Sequence, residues 1–215
     1  MFTYVTRKHE AESLQDSQRA LGHEIQAVHA DVRDYRRAQE VVQQLMESFG
    51  RFDGLVNNAG ITRDKALMLM EESDWRDVLD VNLTGTFHAC RAAIVTFMKQ
   101  RSGRIVNITS VAGVAGAPRQ VNYAASRAGV IGLTRALAAE VAPHGITVNA
   151  VAPGYIATEM TAGINEKRAT EIRARIPLGR FGQPSEVAQL VTYLLSDAAA
   201  YLTGQTLVLD GGLTL

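Results

Sequence analysis

Cysteine is all but missing: Cys90 stands alone among 215 residues, so no disulfide can form within the chain, and a reducing cytoplasm is the expected compartment. No apolar run reaches the roughly 20 residues that a membrane-spanning helix needs. Arg7, Lys8 and Glu10, so near the start, leave no room for the apolar core of a signal peptide. Net charge is lacking too. Twenty-two basic side chains balance twenty-two acidic ones, which removes any general electrostatic case for a nucleic-acid or membrane partner. The five histidines are scattered without ligand spacing, so no metal is expected. Repeats, linkers and low-complexity tracts are absent as well.

What is present is an apolar content of 47%, enough to bury a large core in one domain spanning residues 1–215. Strand-like and helix-like stretches alternate. Phe2 to Thr6, Ile25 to Val28, Phe52 to Val56, Ile105 to Ile108, Thr147 to Val151 and Thr206 to Leu209 read as strands. His9 to Leu21, Tyr35 to Phe49, Trp75 to Gln100, Val130 to Ala142 and Pro184 to Leu195 read as helices, with Gly50 stopping the second. This alternation predicts an α/β fold, a doubly wound parallel sheet with helices on both faces. Tyr155 to Arg180, polar and carrying Arg168, Arg173 and Arg175, is expected to be a mobile lid over a substrate cleft.

The chemistry concentrates between Arg104 and Gly129. A buried strand delivers Ser110 at its end, and the helix that follows carries Tyr123 and Arg127 four residues apart, hence on one face. A serine hydroxyl can hold a carbonyl or alcohol oxygen while a phenol gives or takes its proton. Tyrosine is a poor base unaided, with an ordinary pKa near 10. A cation one turn away favours the phenolate, typically by about 1 to 3 pKa units.

Ser110, Tyr123 and the helix after them resemble the active-site segment of the short-chain dehydrogenase/reductases, most of all the bacterial 3-oxoacyl-acyl-carrier-protein reductases. The resemblance runs from Phe2 to the end. It implies a Rossmann-like sheet and reduction of a 3-oxoacyl thioester to the 3-hydroxyacyl product, with NADPH favoured over NAD. The implied catalytic set is Asn82, Ser110, Tyr123 and Arg127. Asn82 would bend a helix and hold a water in the proton relay, Ser110 would orient the carbonyl, and Tyr123 would donate the proton. The family pattern is Tyr-x-x-x-Lys, and Arg127 departs from it. Arginine keeps the charge but is a planar fork that does not release a proton, so the exchange is not conservative.

The resemblance also implies a cofactor site. Arg7 stands where a cation accommodates the 2′-phosphate of NADP. Asp31 and Val32 would read the adenine, Asn58, Ala59 and Gly60 the adenosine side, and Pro153, Gly154, Ile156 and Thr158 the nicotinamide carboxamide, with Tyr123 and Arg127 at the ribose. Each has a plainer reading: Asp31 as a solvated strand end, Arg7 as a surface arginine, Asn57 to Gly60 and Pro153-Gly154 as turns, Asn82 on an exposed helix face. Lys99, Arg101 and Arg104 would receive an acidic acyl carrier protein, or simply favour a helix C-terminus. A tetramer, of like or mixed subunits, is implied.

One part of the family pattern has no counterpart here. A dinucleotide fold takes the pyrophosphate on a glycine-rich turn between its first strand and first helix, and this sequence opens at what matches the second strand. Roughly one βα unit of about 30 residues is unaccounted for. Three readings stay open: Met1 lies inside a longer natural chain; the chain is a cofactor-deficient, non-catalytic partner of an active homologue; or it is a decayed copy. The second gains support from Arg127.

Overall fold

The computed structural model describes the backbone of residues 1–215 and every side chain except that of Met160. In chain order the elements are β1 (Phe2–Tyr4), α1 (Lys8–Ala20), β2 (Ala27–His29), α2 (Tyr35–Phe49), β3 (Gly54–Asn57), α3 (Glu72–Leu79), α4 (Gly85–Gln100), β4 (Gly103–Ile108), α5 (Val111–Ala115), α6 (Val121–Val141), β5 (Ile146–Pro153), α7 (Glu159–Ala162), α8 (Glu166–Arg175), α9 (Pro184–Leu195) and β6 (Thr206–Leu209). Every strand pairing is parallel. The expected doubly wound architecture is therefore present.

The sheet comes in two pieces, as the unaccounted βα unit leads one to expect. β1 pairs with β2 alone, and β3, β4, β5 and β6 form a separate four-stranded sheet in that order. Among the described residues, β1 and β3 each carry one edge without a partner strand. Val56 on β3 is correspondingly 40% exposed. Unpaired backbone groups at such edges are tolerated only where water reaches them.

Alternation along the strands explains the two-faced core. Ile105 of β4 packs with Phe97, Ala93, Val148 and Ala138, beneath α4, α6 and the apolar side of α2. Its neighbour Val106 points the other way, into a cluster with Val151, Leu194 and Ala199 beneath α9. β4 and β5 are central and buried nearly end to end.

Some boundaries depart from expectation. The stretch read as one helix from Trp75 is α3 and α4, joined by a π-helical turn over Asp80–Thr84. Short α5 follows Ser110 directly. Tyr155 to Arg180, read as a polar segment, contains α7 and α8, and Ala169, Ile172 and Ile176 are buried. The apolar positions of α8 are sparse but sit at helical spacing, which a polar average conceals.

Candidate active site

In a parallel sheet the carboxyl ends of all strands open on one side, and ligands bind there. Here those ends deliver Val5-Thr6-Arg7 from β1, Asp31-Val32 after β2, Asn58 to Gly60 after β3, Ser110 after β4 and Gly154 after β5.

Ser110 is the N-cap of α5, in an extended conformation, and its Oγ accepts the Ala112 amide hydrogen at 3.1 Å. The hydroxyl hydrogen stays available to a ligand oxygen. Tyr123 is half-buried on the first turn of α6, and among the described residues its hydroxyl has no hydrogen-bond partner. Two contacts hold α6 against the end of β4. Thr109 Oγ1 donates to the Arg127 carbonyl at 2.8 Å. Gly113 lies so close that a Cβ on it would stand 2.7 Å from the Arg127 carbonyl carbon. Helices α5 and α6 thus meet backbone to backbone, which places Ser110 and Tyr123 on the same side of the sheet.

Arg127 is only 4% exposed. Its Nη1 donates to the Ile108 carbonyl at 3.0 Å, its guanidinium lies over the Tyr123 ring at 5.1 Å, and its Nε is buried without a partner. No carboxylate pairs with it among the described residues. The cation is therefore next to the phenol, as its helical spacing predicts, but it is turned inward rather than toward the open cleft.

Asn82 is fully buried in the π-helical turn. Its Oδ1 accepts from the Ile61 amide at 2.8 Å, and its Nδ2 donates to the Ile61 carbonyl and to Ser126 Oγ, both at 3.1 Å. The expected helix distortion is there, and the plainer reading of an exposed helix face is wrong. The side chain fastens the segment after Gly60 to α6. Gly85 beside it lets the helix approach Val32, since a Cβ would come within 2.6 Å of Val32 Cγ2.

The cofactor-side residues divide. Asn58 and Ala59 are exposed at the cleft, Gly60 is half-buried, and Gly154 donates its amide to the Leu209 carbonyl at 3.0 Å. Ile156 bridges to Gly182, and Thr158 caps α7. Arg7 pairs with Glu159 of α7 at 2.5 Å, both well exposed. The hydrogen bond and charge of Arg7 hold the Glu159 carboxyl below its usual range. Asp31 is not a free acceptor: Arg33 holds its carboxylate by side chain and backbone, which lowers its pKa. Lys99 and Arg101 are exposed at the amino end of β4, whereas Arg104 is turned toward Asp197 at 3.5 Å, with its side chain 15% exposed.

Sequence reasoning missed the buried polar ladder beneath the site. Asn57 Nδ2 donates to Asn107 Oδ1 at 2.8 Å, and Asn107 Nδ2 donates to Thr134 Oγ1 at 2.9 Å. It also missed Asn122, whose Nδ2 donates to the Arg63 and Asp74 carbonyls. Three asparagines inside apolar stretches are the signal that was there to be read, because a buried amide needs partners. Cys90 is buried, its thiol pushed up to about 12 by desolvation, so it is no nucleophile. No group of His, Cys, Asp or Glu among the described residues could hold a metal.

A family described as enoyl-(acyl carrier protein) reductase matches residues 1–214. The chain belongs to the short-chain dehydrogenase/reductases. It is 45% identical over 210 residues to a protein of Staphylococcus aureus named 3-oxoacyl-[acyl-carrier-protein] reductase FabG, covering 98% of this chain and 85% of that one. Proteins of the same name from Thermotoga maritima and of the name 3-oxoacyl-[acyl-carrier-protein] reductase from Synechocystis are each 51% identical, over 185 and 197 residues. These alignments cover 86% and 91% of this chain, and 75% and 78% of the relatives. The fold and the oxidoreductase class of this short-chain dehydrogenase/reductase thus agree with the resemblance read from Ser110 and Tyr123.

Proposed function

We propose that the site serves NADPH-dependent reduction of a 3-oxoacyl thioester, on acyl carrier protein or coenzyme A, to the 3-hydroxyacyl thioester. The observation that carries this reading is Tyr123, its hydroxyl without a partner among the described residues, on a helix stapled beside the strand that ends in Ser110. When bound, the nicotinamide supplies a hydride to the ketone carbon. Ser110 donates a hydrogen bond to the ketone oxygen, and Tyr123 gives that oxygen its proton. Arg127 raises the positive potential under the phenol from below. Asn82 holds the helix and the segment after Gly60 in register.

The residues at the carboxyl ends fit the two ends of such a cofactor: the exposed backbone at Asn58 and Ala59, Val32 against Gly85, and the 153–158 loop. Arg7 suits a 2′-phosphate, which would have to displace Glu159. Among the described residues no glycine-rich turn offers amides to the pyrophosphate. With lysine's mobile ammonium replaced by the inward guanidinium, turnover is expected to fall by about 10² to 10⁴. An acidic carrier protein would meet Lys99 and Arg101. The exposed Phe87, Val95 and Met98 on α4 supply an apolar face for subunit contact in a tetramer. The lone buried thiol suits a cytoplasmic protein.

The test is direct: the purified chain is assayed with NADPH and acetoacetyl thioesters. Slow but Tyr123-dependent reduction is expected, and Tyr123→Phe should abolish it. Ordinary enzyme rates would overturn the impairment, and reduction unaffected by Tyr123→Phe would overturn the site. A second reading, a non-catalytic subunit that pairs with an active homologue, is favoured by the withdrawn Arg127 and the open edges of β1 and β3. Co-purification with a full-length reductase at fixed ratio would support it. Recovery of self-associated chain alone would exclude it.

A further inference from the structure

Ala117-Pro118-Arg119-Gln120 is a tight turn closed by the Gln120 amide on the Ala117 carbonyl at 3.2 Å. Proline in its second position and a positive φ of 67° at Arg119 in its third give the type II pattern, in which the third residue is ordinarily glycine or asparagine. Arginine there costs about 1 kcal/mol or more in backbone strain. The other non-glycine residue with positive φ, Arg101, closes the C-terminus of α4, where such a conformation is routine. Arg119 has no such excuse. It lies exposed four residues before Tyr123, and among the described residues it forms no ion pair or side-chain hydrogen bond.

A second cation without an ion pair among the described residues lies on a neighbouring segment. Arg63 is exposed, and its guanidinium reaches only the Thr62 carbonyl next door. Its backbone is tied to the start of α6 by Asn122 Nδ2 at 3.1 Å, and the adjoining Asp64 by Gln120 Nε2 at 2.8 Å. The segments bearing Arg63 and Arg119 are thus fastened to each other and to the turn that presents Tyr123. The neighbouring acids are engaged, Asp64 by Gln120 and Asp74 by Lys65 at 2.6 Å. Neither guanidinium forms an ion pair among the described residues, although the Asp64 carboxylate, bonded only by the neutral Gln120 amide, lies between the two segments.

We propose that Arg63 and Arg119 read the phosphate on the pantetheine arm that carries a thioester substrate. This rests on the thioester reading above and deepens it. Acyl carrier protein and coenzyme A share that phosphate, and a guanidinium fork matches its oxygens. The strained turn is retained because it aims one of the two forks.

Calorimetric titration of the full chain with 4′-phosphopantetheine and with pantetheine tests the pair without requiring turnover. The phosphorylated form should bind roughly tenfold more tightly, a preference that weakens with salt. Arg119→Gly suits the turn, so it should keep or raise the unfolding midpoint while cutting that preference several-fold. Arg63→Gln should act likewise, and the double variant should abolish the preference. Equal affinity for the two compounds, or an unchanged preference in Arg119→Gly, would overturn the proposal. In turnover, KM for acetoacetyl-phosphopantetheine should rise in Arg119→Gly with kcat nearly unchanged. A loss seen with acetoacetyl coenzyme A but not with acetoacetyl-phosphopantetheine would assign the pair to nucleotide phosphates and refute the arm. A phosphate preference that obeys these variants, with no NADPH-dependent reduction of any thioester, would sink the reductase reading and leave the phosphate pair standing.

Discussion

The guanidinium of Arg127 occupies the space that a side chain on Gly60 would need: a Cβ there would collide with Nη2 and come within 3.0 Å of Cζ. The strand-end turn and α6 meet at this contact, beside the Asn82 bonds that also join them. With Nη1 anchored on Ile108, the guanidinium has little freedom to retreat.

Gly60→Ala is therefore expected to destabilise the fold by about 1 to 3 kcal/mol, the usual cost of overpacking. Arg127→Lys has a slimmer head group and should restore part of that loss in the double variant. Denaturant unfolding of the four chains of the cycle measures the coupling. Additive effects would show that the two residues do not share the space.

Arg127→Lys alone addresses catalysis. An ammonium on a flexible stem can leave the inward pocket and reach the cleft. Turnover with NADPH and an acetoacetyl thioester should rise. No gain, in a variant shown by fluorescence to bind NADPH, would place the defect elsewhere.

Asn82→Ala strands the Ile61 amide and carbonyl, and each buried unmade bond costs about 1 to 3 kcal/mol. Asn82→Asp keeps an acceptor for the Ile61 amide but sets a carboxylate oxygen against the Ile61 carbonyl and Ser126 Oγ. Both variants should unfold at lower denaturant concentration than the parent. A neutral result for either would mean that the Asn82 bonds do not hold the segment.

Acid should act through Glu186. Arg180 grips its carboxylate with two hydrogen bonds at 2.8 Å, the Gln183 amide adds a third, and the pKa falls from 4.5 to about 2. A depressed folded-state pKa contributes stability that is complete above the unfolded value and lost as pH falls toward the folded one. The window thus runs from roughly pH 4.5 down to 2. Glu186→Gln should flatten the stability profile across it, and an unchanged profile would remove Glu186 from the acid response.

The open edges of β1 and β3 should be visible in amide exchange. The β3 amides that face β4 should be protected and the alternate ones should exchange quickly, whereas β4 and β5, paired on both sides, should be the slowest in the chain. Uniform protection along β3 would mean that its free edge is covered in solution.

The short-range features were legible in the sequence because they are governed by neighbours along the chain. Alternating strand-like and helix-like stretches determined the parallel α/β fold, Gly50 stopped α2, and a four-residue spacing put Tyr123 and Arg127 on one face. The tertiary structure alone decided where that arginine points, which acids Arg7, Arg33 and Lys65 would engage, and how Asn57, Asn82, Asn107 and Asn122 would be satisfied. Those outcomes depend on partners tens of residues away. A side chain's rotamer and a strand's second neighbour are set by what packing brings beside them, and local sequence carries no record of that.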